Sequence, residues 1–299
     1  MKFPNHKPRF ARSSRLLISA SLGVCAFAAS CSATLAQSDM QGSQPGHKPV
    51  LGQKPTLLRP TQRPLELKVN TWKGQRVIKL WRGDPAGKEI ALTFDDGPHP
   101  AATVRLLDLL REQHVKATFF VVGKKVDEAP WLLPRMLAEG HEVANHTYHH
   151  INLDNAPEAV VMSEIKLGAD AIQRACGLRT FSFRPPGGHH NDNVLSGAEK
   201  MGVRTFLWSD DPADFANPGA EVLEQRLIGK VSGGALVLLH DGIEQTMDIL
   251  PDLIARLRKD GYKFVTVSQL ASHLEAAAAA HKTAPQQTAT NSPQHPPIR

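Results

Sequence analysis

The chain has 299 residues, of which 41% are hydrophobic and 21% are charged. This composition supports a large buried core and excludes a collagen-like or wholly disordered chain, and a single long apolar stretch excludes a multi-span membrane protein. The net charge of +6 is unevenly spread, because residues 1–88 carry +12 and residues 89–299 carry −6. The basic character therefore belongs to the N-terminal part and gives no support to nucleic-acid binding.

The first 36 residues have the features of an export signal. Five basic residues lie among the first fifteen, and an apolar stretch of about 21 residues runs from Leu16 to about Ala36. We predict a cleaved signal peptide at residues 1–36 and a periplasmic, cell-envelope or secreted protein. The alternatives are a retained membrane anchor and a lipoprotein, because the surroundings of Cys31 weakly resemble an attachment site.

The remaining organisation follows from cysteine positions and composition. Cys25 and Cys31 fall in the leader, so Cys176 is alone in the exported chain and no internal disulfide is expected there. Residues 37–75, rich in Gln, Pro, Gly and Lys, predict a flexible basic linker. One catalytic domain is expected over residues 76–275, and residues 276–299 are expected to be a frayed helix end and a disordered tail.

Between residues 75 and 275, apolar runs alternate with amphipathic stretches. The runs typical of strands are 89–94, 117–122, 142–145, 180–184, 203–208, 235–239 and 263–267. The stretches typical of helices are 101–113, 130–139, 156–176, 192–201, 219–231 and 246–259. This alternation predicts parallel βαβ units in one α/β domain. About seven units are too many for a small flavodoxin-type sheet and slightly few for an eight-unit barrel.

Polar side chains follow five of the predicted strands at the point where each strand ends. They are Asp95 and Asp96, His146 to His150, Arg184, Asp211 and Asp214, and His240. In parallel α/β folds, functional groups lie at the carboxyl ends of the strands. The pattern therefore predicts an active site at this edge of the sheet.

Two of these groups have the chemistry of a metal site. Asp95 and Asp96 precede a Gly-Pro turn, where one Asp could simply cap a helix but two carboxylates can serve a metal and a neighbouring water. His146 and His150 are four residues apart and can reach one cation, although a surface histidine cluster is the alternative. Two histidines and one carboxylate do not identify the metal, since non-haem iron oxygenases use the same ligand types.

Two further groups would complete a hydrolytic site. Arg184 precedes a Pro-Pro-Gly-Gly loop, where glycine lets a backbone N–H approach a ligand closely; a structural ion pair is the alternative. His240 ends a buried apolar run and could be an ordinary core histidine. Metal-assisted hydrolysis needs a Lewis acid, a base, an oxyanion donor and an acid for the leaving group, and candidates for all four are present.

Five motifs, in this order, resemble those of the polysaccharide deacetylases with a NodB-homology domain (carbohydrate esterase family 4). They are TFDDGP from Thr93, HTYHH from His146, RPPG from Arg184, DPADF from Asp211 and LLH ending at His240. The resemblance covers about residues 86–272. It implies a distorted, incomplete (β/α) barrel and a divalent metal, usually Zn²⁺ and sometimes Co²⁺ or Ni²⁺.

The resemblance also implies roles for the residues around the metal. Asp96, His146 and His150 would be the metal ligands. Asp95 would be the general base that acts on the metal-bound water attacking the acetyl carbonyl, and Arg184 would hold Asp95 in place.

The other implied roles concern the leaving group and the substrate. His240 would protonate the departing amine, and Asp214 would orient His240. Leu238 would line the pocket for the acetyl methyl group, and the backbone N–H of Gly187 would help to stabilise the oxyanion. Gly187 stands where the family usually has Tyr, and Phe215 stands where it usually has Trp, so these departures affect the sugar-facing surface more than catalysis.

The predicted function is metal-dependent removal of N-acetyl groups from peptidoglycan, a chitin-like oligomer or an exopolysaccharide. One alternative is an O-acetyl esterase acting on a xylan-like polymer. Another is an inactive carbohydrate-binding module, which would require a lost ligand or base, and none is missing. The expected partners are a polysaccharide and, through the N-terminal apolar segment, a membrane; no nucleic acid is expected.

Overall fold

The computed structural model describes residues 69–72 and 75–283. The strands in this part of the chain are β1 (Val69–Trp72), β2 (Gln75–Leu80), β3 (Glu89–Gly97), β4 (Thr118–Val121), β5 (Glu142–Asn145), β6 (Ser182–Phe183), β7 (Arg204–Phe206), β8 (Leu236–His240) and β9 (Lys263–Phe264). The α-helices are α1 (Ala102–Glu112), α2 (Gly123–Glu128), α3 (Leu132–Ala138), α4 (Glu158–Cys176), α5 (Asp192–Lys200), α6 (Ala220–Leu227), α7 (Glu244–Lys259) and α8 (Val267–Thr283). Short 3₁₀ turns occupy Pro186–Gly188 and Asp214–Ala216.

The strands form one curled sheet. Its order is β1-β2-β7-β6-β5-β4-β3-β8, with β9 paired to the start of β3. All pairs are parallel except β1 with β2. On the far side, the segments that follow β2 and β7 approach β8 through two isolated bridges, Arg82 with Ala235 and Asp210 with Val237. No continuous ladder closes the described sheet, and the predicted incomplete barrel of the α/β class is confirmed.

The alternation of side chains along the strands separates two of the three buried hydrophobic clusters, and the third lies around α4, α5 and β6. On β3, Ile90, Leu92 and Phe94 pack in an outer core between the sheet and the helices, whereas Ala91 packs in an inner core. The inner core also holds Leu80, Phe120, Ala144, Phe206, Leu236, Val267, Leu270, Ala271 and Leu274. Because every second side chain shares a face, Asp95 continues the inward row of Ala91.

All seven predicted strands are present, and six helices overlap the predicted helical stretches. The hairpin of β1 and β2 was not predicted, and β1 lies within the stretch expected to be a linker. Its second strand, QRVIKL, carries the polar and basic residues typical of strands near a sheet edge, so its composition resembles that of the preceding arm. The six-residue α2 is too short for a periodic signal, and α8 continues to residue 283, into the expected tail.

Several predictions concern residues outside the described ones. These are the signal peptide at 1–36, almost all of the linker, and residues 284–299 of the tail. Among the described helices, none combines the length and apolar character needed to cross a membrane. Cys176 carries a free thiol.

Candidate active site

Three side chains converge at the carboxyl ends of β3 and β5. Asp96 lies near the end of β3, and His146 and His150 lie in the loop that follows β5. One potential ligand atom from each lies within 4.8 Å of the others. Asp96 Oδ1 is 3.0 Å from His150 Nε2 and 3.5 Å from His146 Nε2. The structure thus brings together the three residues predicted to bind the metal.

The backbone at these positions is unusual. Asp96, Thr147 and His150 have φ angles of 69°, 66° and 57°, in the left-handed region that few non-glycine residues adopt. Such conformations persist where the surrounding structure imposes them, and they are common at functional sites. Here Asn145 Oδ1 accepts a hydrogen bond from Thr147 N at 2.9 Å, and Thr147 Oγ1 accepts one from His150 N at 3.1 Å. These bonds hold the turn that presents both imidazoles to Asp96.

The three ligand atoms fit a bound cation. His146 Nδ1 donates to the Arg184 carbonyl oxygen at 2.7 Å, so Nε2 is the nitrogen that faces the carboxylates and can offer a lone pair to a metal. Asp96 Oδ1 is buried and has no hydrogen-bond partner in the described part of the chain. Burial alone would raise the pKa of Asp96, but the imidazoles of His146 and His150 outweigh it and hold the pKa well below its usual range. Converging imidazole nitrogens and a charged carboxylate suit a divalent metal.

Asp95 lies beside this cluster and is held by an arginine. Its side chain is almost fully buried, and Oδ1 accepts a hydrogen bond from Arg184 Nη1 at 2.6 Å. The other oxygen, Oδ2, is 3.6 Å from His146 Nε2. Since Arg184 occupies one carboxylate oxygen, the other oxygen faces the candidate metal site.

Arg184 is itself fixed on every side. It is 0% exposed, and it donates hydrogen bonds to Thr93 Oγ1 at 2.8 Å and to the carbonyl oxygens of Phe206 and Leu207 at 3.2 and 2.9 Å. The guanidinium carbon lies 4.0 Å from the centroid of the Phe120 ring, a cation–π contact. The arginine is therefore held in one geometry inside the barrel and transmits that geometry to Asp95.

A second histidine–carboxylate pair lies at the end of β8. His240 Nδ1 donates to Asp214 Oδ1 at 2.6 Å, and its backbone N–H donates to Oδ2 at 2.8 Å. Asp214 is fully buried and also accepts hydrogen bonds from Thr246 Oγ1 and Phe215 N. Burial alone would lower the pKa of His240, but the hydrogen bond and charge of Asp214 outweigh it and raise the pKa. This arrangement leaves Nε2 of His240 available to a ligand.

The three residues predicted to contact substrate lie near these groups along the chain. The Phe215 ring is 57% exposed, and its centroid is 5.5 Å from that of His240. Leu238 is buried, two residues before His240 on β8. Gly187 lies in the turn that begins two residues after Arg184, and its φ is 62°.

Sequence reasoning assigned no role to several residues that shape the site. Lys125 Nζ donates to the carbonyl oxygen of Asp96 at 2.6 Å, and Thr246 supports Asp214. Both lie on helices outside any motif, so no sequence signal marks them. Thr93, in contrast, is the first residue of the TFDDGP motif, so the sequence does mark its position. The buried Asp241 directly follows His240 in the sequence, but its surroundings come from distant segments.

Comparisons with known proteins agree with this geometry. A family model for polysaccharide deacetylase matches residues 82–206. A peptidoglycan-N-acetylglucosamine deacetylase of Bacillus cereus is 41% identical over 195 residues, which are 64% of this chain and 91% of that protein. A chitooligosaccharide deacetylase of Bradyrhizobium sp. is 38% identical over 204 residues, covering 63% of this chain and 93% of the relative.

The fold has close counterparts among solved structures. A crystal structure of a peptidoglycan N-acetylglucosamine deacetylase superimposes with a TM-score of 0.62 at 31% identity, covering 64% of this chain and 92% of that one. Sequence and fold therefore agree over nearly the whole length of these relatives. The chain belongs to the polysaccharide deacetylase family, the NodB-homology group of carbohydrate esterase family 4, and is a hydrolase.

Proposed function

We propose that this chain removes N-acetyl groups from an amino-sugar polysaccharide of the cell envelope, with peptidoglycan or a chitin-like oligomer as the substrate. The observation that carries the proposal is the position of the buried Asp95 carboxylate, which Arg184 fixes beside the converging atoms of Asp96, His146 and His150. The names of the relatives support this substrate class. A substrate outside the cytoplasm also agrees with the export signal predicted at residues 1–36.

We assign Asp96, His146 and His150 as ligands of one divalent metal. Imidazole nitrogens and a carboxylate oxygen suit Zn²⁺, and Co²⁺ or Ni²⁺ accept the same donor types. When bound, the metal supplies a Lewis acid beside Asp95. An open cleft of about 270 Å³, lined in part by Asp96, Val122, Lys125 and His150, gives access to this position.

Asp95 is placed to act as the general base. Its Oδ1 is occupied by Arg184, so Oδ2 is the oxygen that takes the proton from the attacking water. Because Arg184 is held by three further hydrogen bonds, the carboxylate does not have to reorient when the substrate binds. Arg184 thus acts as a positioning residue for the base.

His240 is placed to act as the general acid. Asp214 holds Nδ1, so the proton for the departing amine comes from Nε2, and the raised pKa of His240 favours the protonated form. In this arrangement the N–H of Gly187 donates to the oxyanion, Leu238 packs against the acetyl methyl group, and Phe215 packs against the sugar.

The test is acetate release by the purified full chain. The substrates are N-acetylglucosamine oligomers, peptidoglycan and acetylated xylan, each with added Zn²⁺ and after treatment with a chelator. We expect zinc-dependent release from an amino sugar, reduced by about 10²–10⁴-fold in Asp95→Asn, as for loss of a general base. Asp252→Asn, a change of the same type at an exposed position on α7, is the matched control. Release from xylan alone would indicate an esterase, and no release by zinc-loaded protein would contradict the proposal.

A further inference from the structure

The two loops that flank the candidate site are joined by a histidine–carboxylate pair. One loop follows β5 and carries His146, His150 and Asp154; the other follows β6 and carries Gly187 and His189. His189 Nδ1 is 3.1 Å from Asp154 Oδ1. A second contact links the same loops, since an amide N–H of the Asn191 side chain donates to the backbone oxygen of Asp154. The His189 ring is therefore held at the rim rather than free in solvent.

The free edge of this ring lies against the turn that carries Gly187. A Cβ atom added at Gly187 would lie 3.0 Å from His189 Nε2, and one added at Gly188 would lie 2.5 Å from the Trp208 ring. Both glycines also have positive φ angles, 62° and 70°. The turn is thus packed between two rings at positions where only glycine fits without a shift, and the His189 imidazole fills the space that a side chain at residue 187 would occupy.

The chemistry of the pair determines what His189 offers to a ligand. The Asp154 carboxylate lies 3.1 Å from Nδ1. This contact favours the tautomer with its proton on Nδ1, which has a lone pair on Nε2. This acceptor lies beside the backbone of Gly187, whose N–H is a donor. The His189 side chain is 30% exposed, so the ring is partly open to solvent at the rim. Sugar hydroxyl groups are hydrogen-bond donors that match such an acceptor.

We propose that His189 is a substrate-binding residue, accepting at Nε2 a hydrogen bond from a hydroxyl group of the amino sugar, and that Asp154 is its positioning residue. The inference rests on the proposed deacetylase function and adds a polar sugar contact to it. It also gives the loop after β6 a role in substrate specificity through His189, a residue outside the five motifs.

The test compares His189→Ala, His189→Gln and His190→Ala in the full chain with N-acetylglucosamine tetramer as the substrate. We expect His189→Ala to raise KM about three- to tenfold, the loss of one neutral hydrogen bond, with kcat within twofold. His189→Gln retains an acceptor oxygen and should recover part of the loss. His190 is the matched control, because it is an exposed neighbouring histidine whose Nδ1 donates to the Gly188 carbonyl oxygen in its own turn. An unchanged KM, or a fall in kcat alone, would overturn the proposal, since a merely structural loop would alter kcat through Gly187.

A binding measurement separates this proposal from the proposed function. The dissociation constant of the tetramer is measured by calorimetry for Asp95→Asn and for Asp95→Asn combined with His189→Ala. A weakening of three- to tenfold in the double variant supports the contact. Equal affinities would overturn the role of His189 while leaving the deacetylase proposal intact, and no binding by either variant would contradict both.

Discussion

Two buried carboxylates lie at the ends of adjacent strands, and their surroundings differ. Asp95 on β3 faces the guanidinium of Arg184 at 2.6 Å. Asp241, directly after β8, accepts a hydrogen bond from the Thr103 hydroxyl, and its Oδ1 has no hydrogen-bond partner among the residues that the structure describes. The two residues are 3% and 2% exposed, and Asp241 N donates to the Asp95 carbonyl oxygen at 2.9 Å. Because the two residues are of the same type and are buried to the same extent, their environments differ in the groups that contact the carboxylates.

The pKa of Asp241 shows the consequence of burial without a contacting cation. Burial raises its pKa to about 6, against the weaker opposing effects of the Thr103 hydrogen bond and the Lys125 charge. Burial without a contacting cation therefore favours proton uptake by a carboxyl group. The fold places a buried guanidinium beside Asp95, the carboxylate whose charge the proposed reaction uses.

Removing the Arg184 guanidinium should have the largest effect on the stability of the protein. Arg184→Met leaves the Asp95 carboxylate buried without its partner, and we expect the free energy of unfolding to fall by about 3–5 kcal/mol in urea denaturation. Combining Arg184→Met with Asp95→Asn should recover part of this loss, because no unpaired charge then remains. A double variant less stable than Arg184→Met would contradict the assignment of the pair. Arg204→Gln, at a half-buried arginine at the start of β7, serves as the control.

Asp214 is a third buried carboxylate, and its partner His240, unlike Arg184, can lose its positive charge in the ordinary pH range. Asp214→Asn removes the charge that raises the pKa of His240, so the alkaline limb of the kcat profile should move to lower pH. We also expect kcat to fall by about 10–10²-fold, part of the usual contribution of a general acid. The exposed neighbour Asp211→Asn should leave the limb in place. An unmoved limb in Asp214→Asn would mean that another group is the acid.

The succession of strands and helices along the chain, and the residues at the strand ends, could be predicted from the sequence, because long apolar runs alternate with amphipathic stretches and each motif follows a run. The convergence of Asp96, His146 and His150 could be predicted as well, because all three lie where parallel strands end at the same edge of the sheet. The hairpin of β1 and β2 could not be predicted, since its two short strands, VNTW and QRVIKL, adjoin the arm and β2 resembles it in composition.

The environment of Asp241 could not be predicted either. Its contacts come from Thr103, 138 residues away in the sequence, and from the turn at Gly97, where a Cβ would lie 2.3 Å from the Asp241 carboxylate. The sequence around Asp241 does not indicate whether a cation lies beside its carboxyl group. The partner of this carboxyl group depends on which helix the fold packs against the end of β8.

Removing the charge of Asp241 should stabilise the protein at neutral pH. The pKa of about 6 in the folded state lies above the ordinary value of 3.8, so the contribution of Asp241 is most favourable below about pH 4 and is lost as the pH rises towards 6. Asp241→Asn should therefore raise the free energy of unfolding at pH 7.5 by about 1–3 kcal/mol and give no gain at pH 4. The exposed Asp252→Asn should show neither change, and a loss of stability at pH 7.5 would contradict the assignment.

The smallest effects should come from the hydroxyl groups beside the two carboxylates. Thr93 Oγ1 accepts from Arg184 and donates to the Val237 carbonyl oxygen, and Thr103 Oγ1 donates to Asp241 and accepts from His99 N. Thr93→Val and Thr103→Val therefore each remove two hydrogen bonds, and we expect each lost bond to lower the free energy of unfolding by about 0.5–1.5 kcal/mol. Only Thr103→Val should also raise the pKa of Asp241 further, because its hydroxyl lowers that pKa, and so shift the pH dependence of stability upward. Urea denaturation from pH 4 to pH 8 measures both effects. An equal shift in both variants would mean that the carboxylates are coupled through the strand pair rather than set by their separate partners.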